Sequence, residues 1–125
     1  MNKLLLTLIV TIFTFTSLKS ENHTVNTGAY YYSPEILTIN VGDQVTWIND
    51  GGFHDVNADE NTQTGESFNN PESFQSNTTN IAGATIYTHT FTIPGTYNYD
   101  CSVGSHAAQG MIGQIVVDGG PSELN

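Results

Sequence analysis

Cys101, His106 and Met111 stand at even steps of five in "CSVGSHAAQGM". The chain holds one cysteine, two methionines including the initiator, and four histidines, so this loop gathers three scarce side chains. A thiolate and a thioether are soft donors, and an imidazole suits copper, zinc or iron. Two strands joined by a loop can turn all three toward one point, but a complete site needs a further donor. The candidates are His23, His54 and His89, and His54 is the best placed. It follows "NDGGF", where paired glycines let backbone approach closely. Two imidazoles, a thiolate and a thioether are the set of a mononuclear blue-copper centre, a trigonal His2Cys plane with a weak axial Met. Zinc competes on ligand grounds, though structural zinc sites are made of Cys and His. Iron–sulfur clusters require more cysteines.

The elements that must hold these residues read as short strands cut by turns. Runs rich in Val, Ile, Thr and Tyr alternate with Gly, Pro, Asn and Asp, and no helical period or repeat intervenes. "AYYYSPEILTINVGD" gives two strands around Pro34 and a Gly42-Asp43 turn. "QVTWIN" is the next strand, with Val45 and Trp47 on one face, and "FHDVNA" is a candidate short one. "TIYTHTFTIPGTYNYDC" reads as a hairpin turning at Pro94-Gly95. Tyr87, His89, Phe91 and Ile93 share a face before that turn, and Tyr97, Tyr99 and Cys101 share one after it. "MIGQIVVD" closes the domain. Residues 57–80, rich in Asn, Thr, Ser and Gln, lack a period; a short helix or strand near Ser67 to Phe74 could be pinned there by Phe68 and Phe74. The pattern predicts an all-β fold, an antiparallel Greek-key sandwich or barrel of seven to eight strands.

The first twenty residues read differently. "MNKLLLTLIVTIFTFTSLKS" opens with Lys3, runs apolar or Thr from Leu4 to Phe15, then turns polar. That is the layout of a secretory signal peptide cut after Ser20, too short for a comfortable membrane span. Residues 21–125 then form one domain. Lys3 and Lys19 are the only basic residues, so the cut takes the formal charge from −10 to −12. A surface without Lys or Arg cannot attract phosphates, which excludes nucleic acid and anionic membranes as partners. It steers basic partners toward itself. A lone cysteine in an exported chain is a ligand, a reactive thiol or half of an intermolecular bridge.

At this point the chain resembles the cupredoxins, the small blue-copper family that includes plastocyanin, azurin and rusticyanin. "PEILTINVGDQVTWIND" is similar to the family's run into its first ligand loop, and "GGFHDV" to the stretch carrying the first histidine. "IPGTYNYDCSVGSHAAQGMIGQIVV" is similar to its Pro-Gly turn, paired tyrosines, ligand loop and final strand. The resemblance spans residues 25 to 118 and implies one copper ion held by His54, Cys101, His106 and Met111. It implies an electron carrier, not an enzyme: four protein ligands leave no open position, and Asp100 and Ser102 flank Cys101 where relay enzymes carry histidines. Electrons would pass through the edge of His106, between Gly104, Ala107, Ala108 and Ile112. The partner would be basic, such as a c-type cytochrome or a copper reductase or oxidase, and the protein a periplasmic or extracellular monomer. Copper buffering, or an interaction module stabilised by a structural metal, are the alternatives.

Two departures bear on chemistry. Spacings of four residues on each side of His106 are closer to rusticyanin or auracyanin than to plastocyanin. After the first histidine the family usually has Asn, whereas here Asp55 stands in position to accept a hydrogen bond from Ser102. A carboxylate there favours Cu(II) and lowers the potential. His89, mid-strand beside Phe91, reads as structural. A chain beginning Glu21-Asn22-His23 could also chelate Cu(II) in a square plane through its amine, amides and imidazole.

Overall fold

The computed structural model describes residues 3, 5–13 and 19–120. The signal-peptide reading of residues 1–20 falls partly outside these residues, as does the end of the tail after Gly120. Seven strands follow in order: β1 (Asn22–Gly28), β2 (Tyr31–Ser33), β3 (Ile36–Asn40), β4 (Gln44–Asn49), β5 (Thr85–Thr90), β6 (Gly95–Asp100) and β7 (Ile112–Asp118). A single 3-10 turn, Ala107–Gln109, lies between β6 and β7. Among the described residues no helix is long and apolar enough to cross a membrane.

The strands form two sheets, β2-β1-β4-β5 and β3-β7-β6, so the all-β sandwich expected from the sequence is the fold. Alternation drives it. In β4, Val45, Trp47 and Asn49 point inward, and in β6 Tyr97 and Tyr99 do so. Trp47, Phe91, Tyr97 and Tyr99 fill the space between the sheets, with Trp47 and Tyr99 meeting edge to face at 5.5 Å. Among the described residues every strand, and this whole core, lies within residues 22–118.

Three details differ from the sequence reading. First, β5 and β6 are not a hairpin: they belong to different sheets, and Thr92–Pro94 carries the chain across the sandwich. Inward-facing Phe91 and Tyr97 still meet at 4.9 Å, while Ile93 is exposed. Second, β1–β4 and β3–β7 pair in parallel, because the chain changes sheets between partners instead of turning back at once. Third, β1 ("NHTVNTG") is a full strand. Its polar composition hides it, and only Val25, Thr27 and Gly28 are buried.

Residues 57–80 contain neither helix nor strand, only isolated bridges, and "FHDVNA" contributes bridges at His54 and Asn57. Side chains hold the segment instead. Asn57 donates to Asp100 Oδ1 at 2.8 Å, and Thr62 N–H donates to Asp100 Oδ2 at 2.8 Å. The Asn70 amide donates to Ala58 O and Asn98 O and accepts from Asn98 N–H, all within 2.9 Å. Phe74 is buried as anticipated, stacked on His89 at 4.3 Å, whereas Phe68 is half-buried. Asn70→Ala should therefore cost about 1–3 kcal/mol, since the Asn98 backbone N–H and C=O both lose the Asn70 amide. Urea melts check this, with Ser73→Ala, at an exposed position, as the neutral control.

Candidate metal centre

Both ligand loops sit at the pole of the sandwich where β4 and β6 end and β7 begins. The first is built around Asn49, the last residue of β4 and fully buried. Its side-chain amide donates to Gly52 O (2.9 Å) and Ile81 O (3.2 Å), and its Oδ1 accepts from Gly51 N–H (3.1 Å). This folds "NDGGFH" back on itself, and a two-bond bridge between His54 and Thr79 fixes the far side. Gly52 is obligatory here. Its φ is +88°, and a Cβ would lie 2.8 Å from His54 Nε2.

The second loop starts at Cys101 and returns at Met111. Cys101 N–H donates to Met111 O (3.2 Å), and Met111 N–H donates to His106 O (3.1 Å). Cys101 and Met111 are fully buried, while His106 is half-buried.

The structure brings His54, Cys101 and His106 together, with one donor atom from each inside a 4.8 Å cluster. Cys101 Sγ lies 3.9 Å from His54 Nδ1 and 3.5 Å from His106 Nδ1. An ion bonded at about 2.0 Å to imidazole and about 2.3 Å to thiolate, with near-trigonal angles, demands separations of this size. His54 Nε2 lies 2.9 Å from Gly51 O. Donation there leaves the lone pair on Nδ1, facing the sulfur. Burial is the main cause holding the His54 pKa below its ordinary value, with Gly51 O and Asp55 opposing and His106 reinforcing. The ring therefore stays neutral and able to bind metal. Burial pushes the Cys101 thiol up to about 11, against backbone N–H groups of Asp55 and Val103 that pull it down. Metal binding must displace that proton.

The remaining histidines lie elsewhere. His89 Nε2 pairs with Glu72 at 3.2 Å beneath Phe74, a structural residue as the sequence suggested. His23 pairs with Asp43 at 2.9 Å at the opposite pole.

A soft thiolate with two imidazoles, and a thioether in the same loop, is a donor set suited to copper. The sequence profile described as copper binding proteins, plastocyanin/azurin family, matches residues 19–118. This chain belongs to that family. Chloroplastic plastocyanin of Tetradesmus obliquus is 33% identical over 93 residues, 74% of this chain and 61% of that protein. Among solved structures, a purple cupredoxin from Nitrosopumilus maritimus superposes with a TM-score of 0.58 at 27% identity, covering 77% of this chain and 99% of its own. The copper-containing nitrite reductase NirK of Thermus scotoductus gives a TM-score of 0.63 at 26% identity, but the match covers only 25% of that longer chain. As a cupredoxin, the protein takes copper as its cofactor, and its donors fit that ion.

Around this cupredoxin site, Asp55 does what its position suggested. Its Oδ1 accepts from Ser102 N–H at 2.7 Å, and its Oδ2 accepts from the Ser102 hydroxyl. The residue after His54 is thus tied to the residue after Cys101. Sequence reasoning missed Tyr30. From the tip of the β1–β2 hairpin its ring lies 4.8 Å from the His106 ring. The hairpin is pinned by Tyr31, whose hydroxyl donates to Asp50 at 2.6 Å. Only the chemical neutrality of "AYYY" concealed this contact, since no spacing links it to the ligand loop. Ala107, expected beside the His106 edge, is instead buried.

Two substitutions test these roles. Asp55→Asn keeps an acceptor for Ser102 N–H and removes a negative charge beside the metal, so voltammetry should show the potential rising by tens of millivolts. Gly52→Ala should destabilise the copper-free protein by about 1 kcal/mol or more, because alanine resists positive φ. Copper titration should also show weaker binding, because the His54 ring must move.

Proposed function

We propose that this cupredoxin is an exported, mononuclear blue-copper electron carrier in the periplasm or outside the cell. His54, Cys101, His106 and Met111 would hold the copper ion. The observation that carries the reading is the convergence of the His54, Cys101 and His106 donors at one pole, with Met111 buried in the same loop. Copper, when bound, supplies one-electron chemistry by alternating between Cu(II) and Cu(I). The protein's part is to keep the donors still. Asn49 braces one loop, the Cys101–Met111 and Met111–His106 backbone bonds brace the other, and Asp55 joins them. A pocket so braced changes little when the charge in it changes, which keeps electron transfer fast.

Burial of Cys101 and Met111 excludes water and substrate, which favours carriage over catalysis. His106 is the half-buried ligand and provides the route out. Tyr30, Phe53 and Ile112, each more than a third exposed, give that pole an apolar surface for a close-fitting partner. The acidic domain favours a basic partner, such as a c-type cytochrome.

Adding one equivalent of Cu(II) to residues 21–125 should produce an intense visible thiolate-to-copper band and narrow copper hyperfine splitting. Both should be absent in Cys101→Ser. A colourless complex unaffected by that substitution would rule the centre out. A blue centre that fails to cycle reversibly on an electrode would favour copper buffering instead.

A further inference from the structure

At the pole opposite the metal centre lies a buried carboxylate with an unusual set of neighbours. Asp43 is 2% exposed. Its Oδ1 accepts from Glu21 N–H at 2.9 Å, and its Oδ2 faces Asn40 N–H at 3.0 Å and His23 Nε2 at 2.9 Å. A carboxylate taken out of water needs compensation, most effectively from a cation. None is available from side chains other than histidine, because no Lys or Arg follows Lys19. All ion pairs among the described residues accordingly use His23 or His89.

Residue 21 is also where the ordered sheet begins. Glu21 O accepts from Gln44 N–H at 2.9 Å, and β1 starts at the next residue, while Lys19 and Ser20 are exposed and outside any strand. The backbone nitrogen aimed at Asp43 is therefore the one that becomes a free amine if the leader ends at Ser20.

We propose that the chain is cut between Ser20 and Glu21, and that the freed α-ammonium of Glu21 seats on Asp43 as its counter-ion. A leader peptidase adds water across the Ser20–Glu21 amide, leaving a carboxylate on Ser20 and an ammonium on Glu21. The nitrogen keeps its place 2.9 Å from Oδ1 and gains a full positive charge. A neutral hydrogen bond becomes a charge-assisted one, roughly twice as strong. Removal of the leader thus stabilises the domain. The square-planar Glu21-Asn22-His23 chelate would have to draw Asn22 and His23 out of β1 and the Glu21 nitrogen away from Asp43.

The pH dependence follows. Glu21, His23 and Asp43 are the titratable groups gathered here; of the residues that pair with the turn, Asp118 of β7 is titratable and meets it through its backbone carbonyl, while Gln44, Thr90 and Phe91 do not titrate. The Asp43 pKa is lowered, chiefly by the Glu21 N–H bond, so its contribution is present above about pH 4 and lost as pH falls through the lowered value. The ammonium pKa is raised by Asp43, so its contribution is full below about pH 8 and lost as pH rises through the raised value.

The test begins with the full chain expressed in a secreting host and the intact mass of the exported product. A start at Glu21 is expected, and any other terminus overturns the proposal. Copper-free chains beginning at Glu21 and at Ser20 are then melted; they carry the same charge and differ in where the amine stands. At about pH 6 the Glu21 chain should melt higher by about 4 °C or more. The gap should close by about pH 10, where the amine is neutral. Asp43→Asn should abolish it at every pH. Equal melting temperatures at pH 6, or a gap that persists at high pH, refute the ion pair. Should Asp43→Asn fail to fold, the pH dependence of the unsubstituted pair decides alone.

Discussion

The hydrogen bonds between Asp55 and Ser102, beside the Asn57–Asp100 bridge, join the two loops that carry the donors. One loop leaves β4 in the first sheet, and the other leaves β6 in the second. Each carries part of the donor set, so the geometry at the metal is decided by how firmly the two sheets are locked at this pole. The constraint reaches inward: the Tyr32 hydroxyl donates to Asp55 O at 2.6 Å, and Tyr32 packs on Tyr99, which packs on Trp47. Registry of the ligands is thus continuous with the aromatic core. A carboxylate in this role binds its hydroxyl and N–H donors more strongly than an amide would but places a negative charge beside the ion.

Much of the site was legible because chemistry concentrates it. One cysteine, a histidine and a methionine at fixed spacing in one loop leave few readings, and "NDGGFH" marks the other loop through glycines that the His54 ring requires. The strands around Trp47 and Tyr97–Tyr99 were legible for the usual reason, period-two alternation of large side chains. Concealed elements obey a different physics. β1 is polar along most of its length and is held by pairing with β2 and β4. The β5–β6 connection looks like a hairpin locally, and only the demand that both inner faces be covered sends β6 to the other sheet. Tyr30 meets His106 through tertiary placement alone.

Charge organises the molecule in a polar sense. The metal pole exposes Tyr30, Phe53 and Ile112 together with Asp50, and Asp55 and Asp100 lie beneath, both buried and hydrogen-bonded. The opposite pole gathers Glu21, His23 and Asp43. Between them, packing and hydrogen bonds do what ion pairs do in ordinary surfaces, so the fold should tolerate salt well while its encounters with charged partners do not.

The Asn70 amide bears on how this sandwich meets other copies of itself. β5 and β6 are outer strands of their sheets, and an outer strand with free N–H and C=O groups is a template for another chain. Asn70 meets Asn98 of β6 through both backbone groups, as one residue of a neighbouring strand would. Phe74 and Glu72 cover β5 at His89. Segment 57–80 therefore acts as an edge guard for β6 and, on the other sheet, packs on the His89 side chain of β5. It spares the domain a strand that could itself recruit a partner.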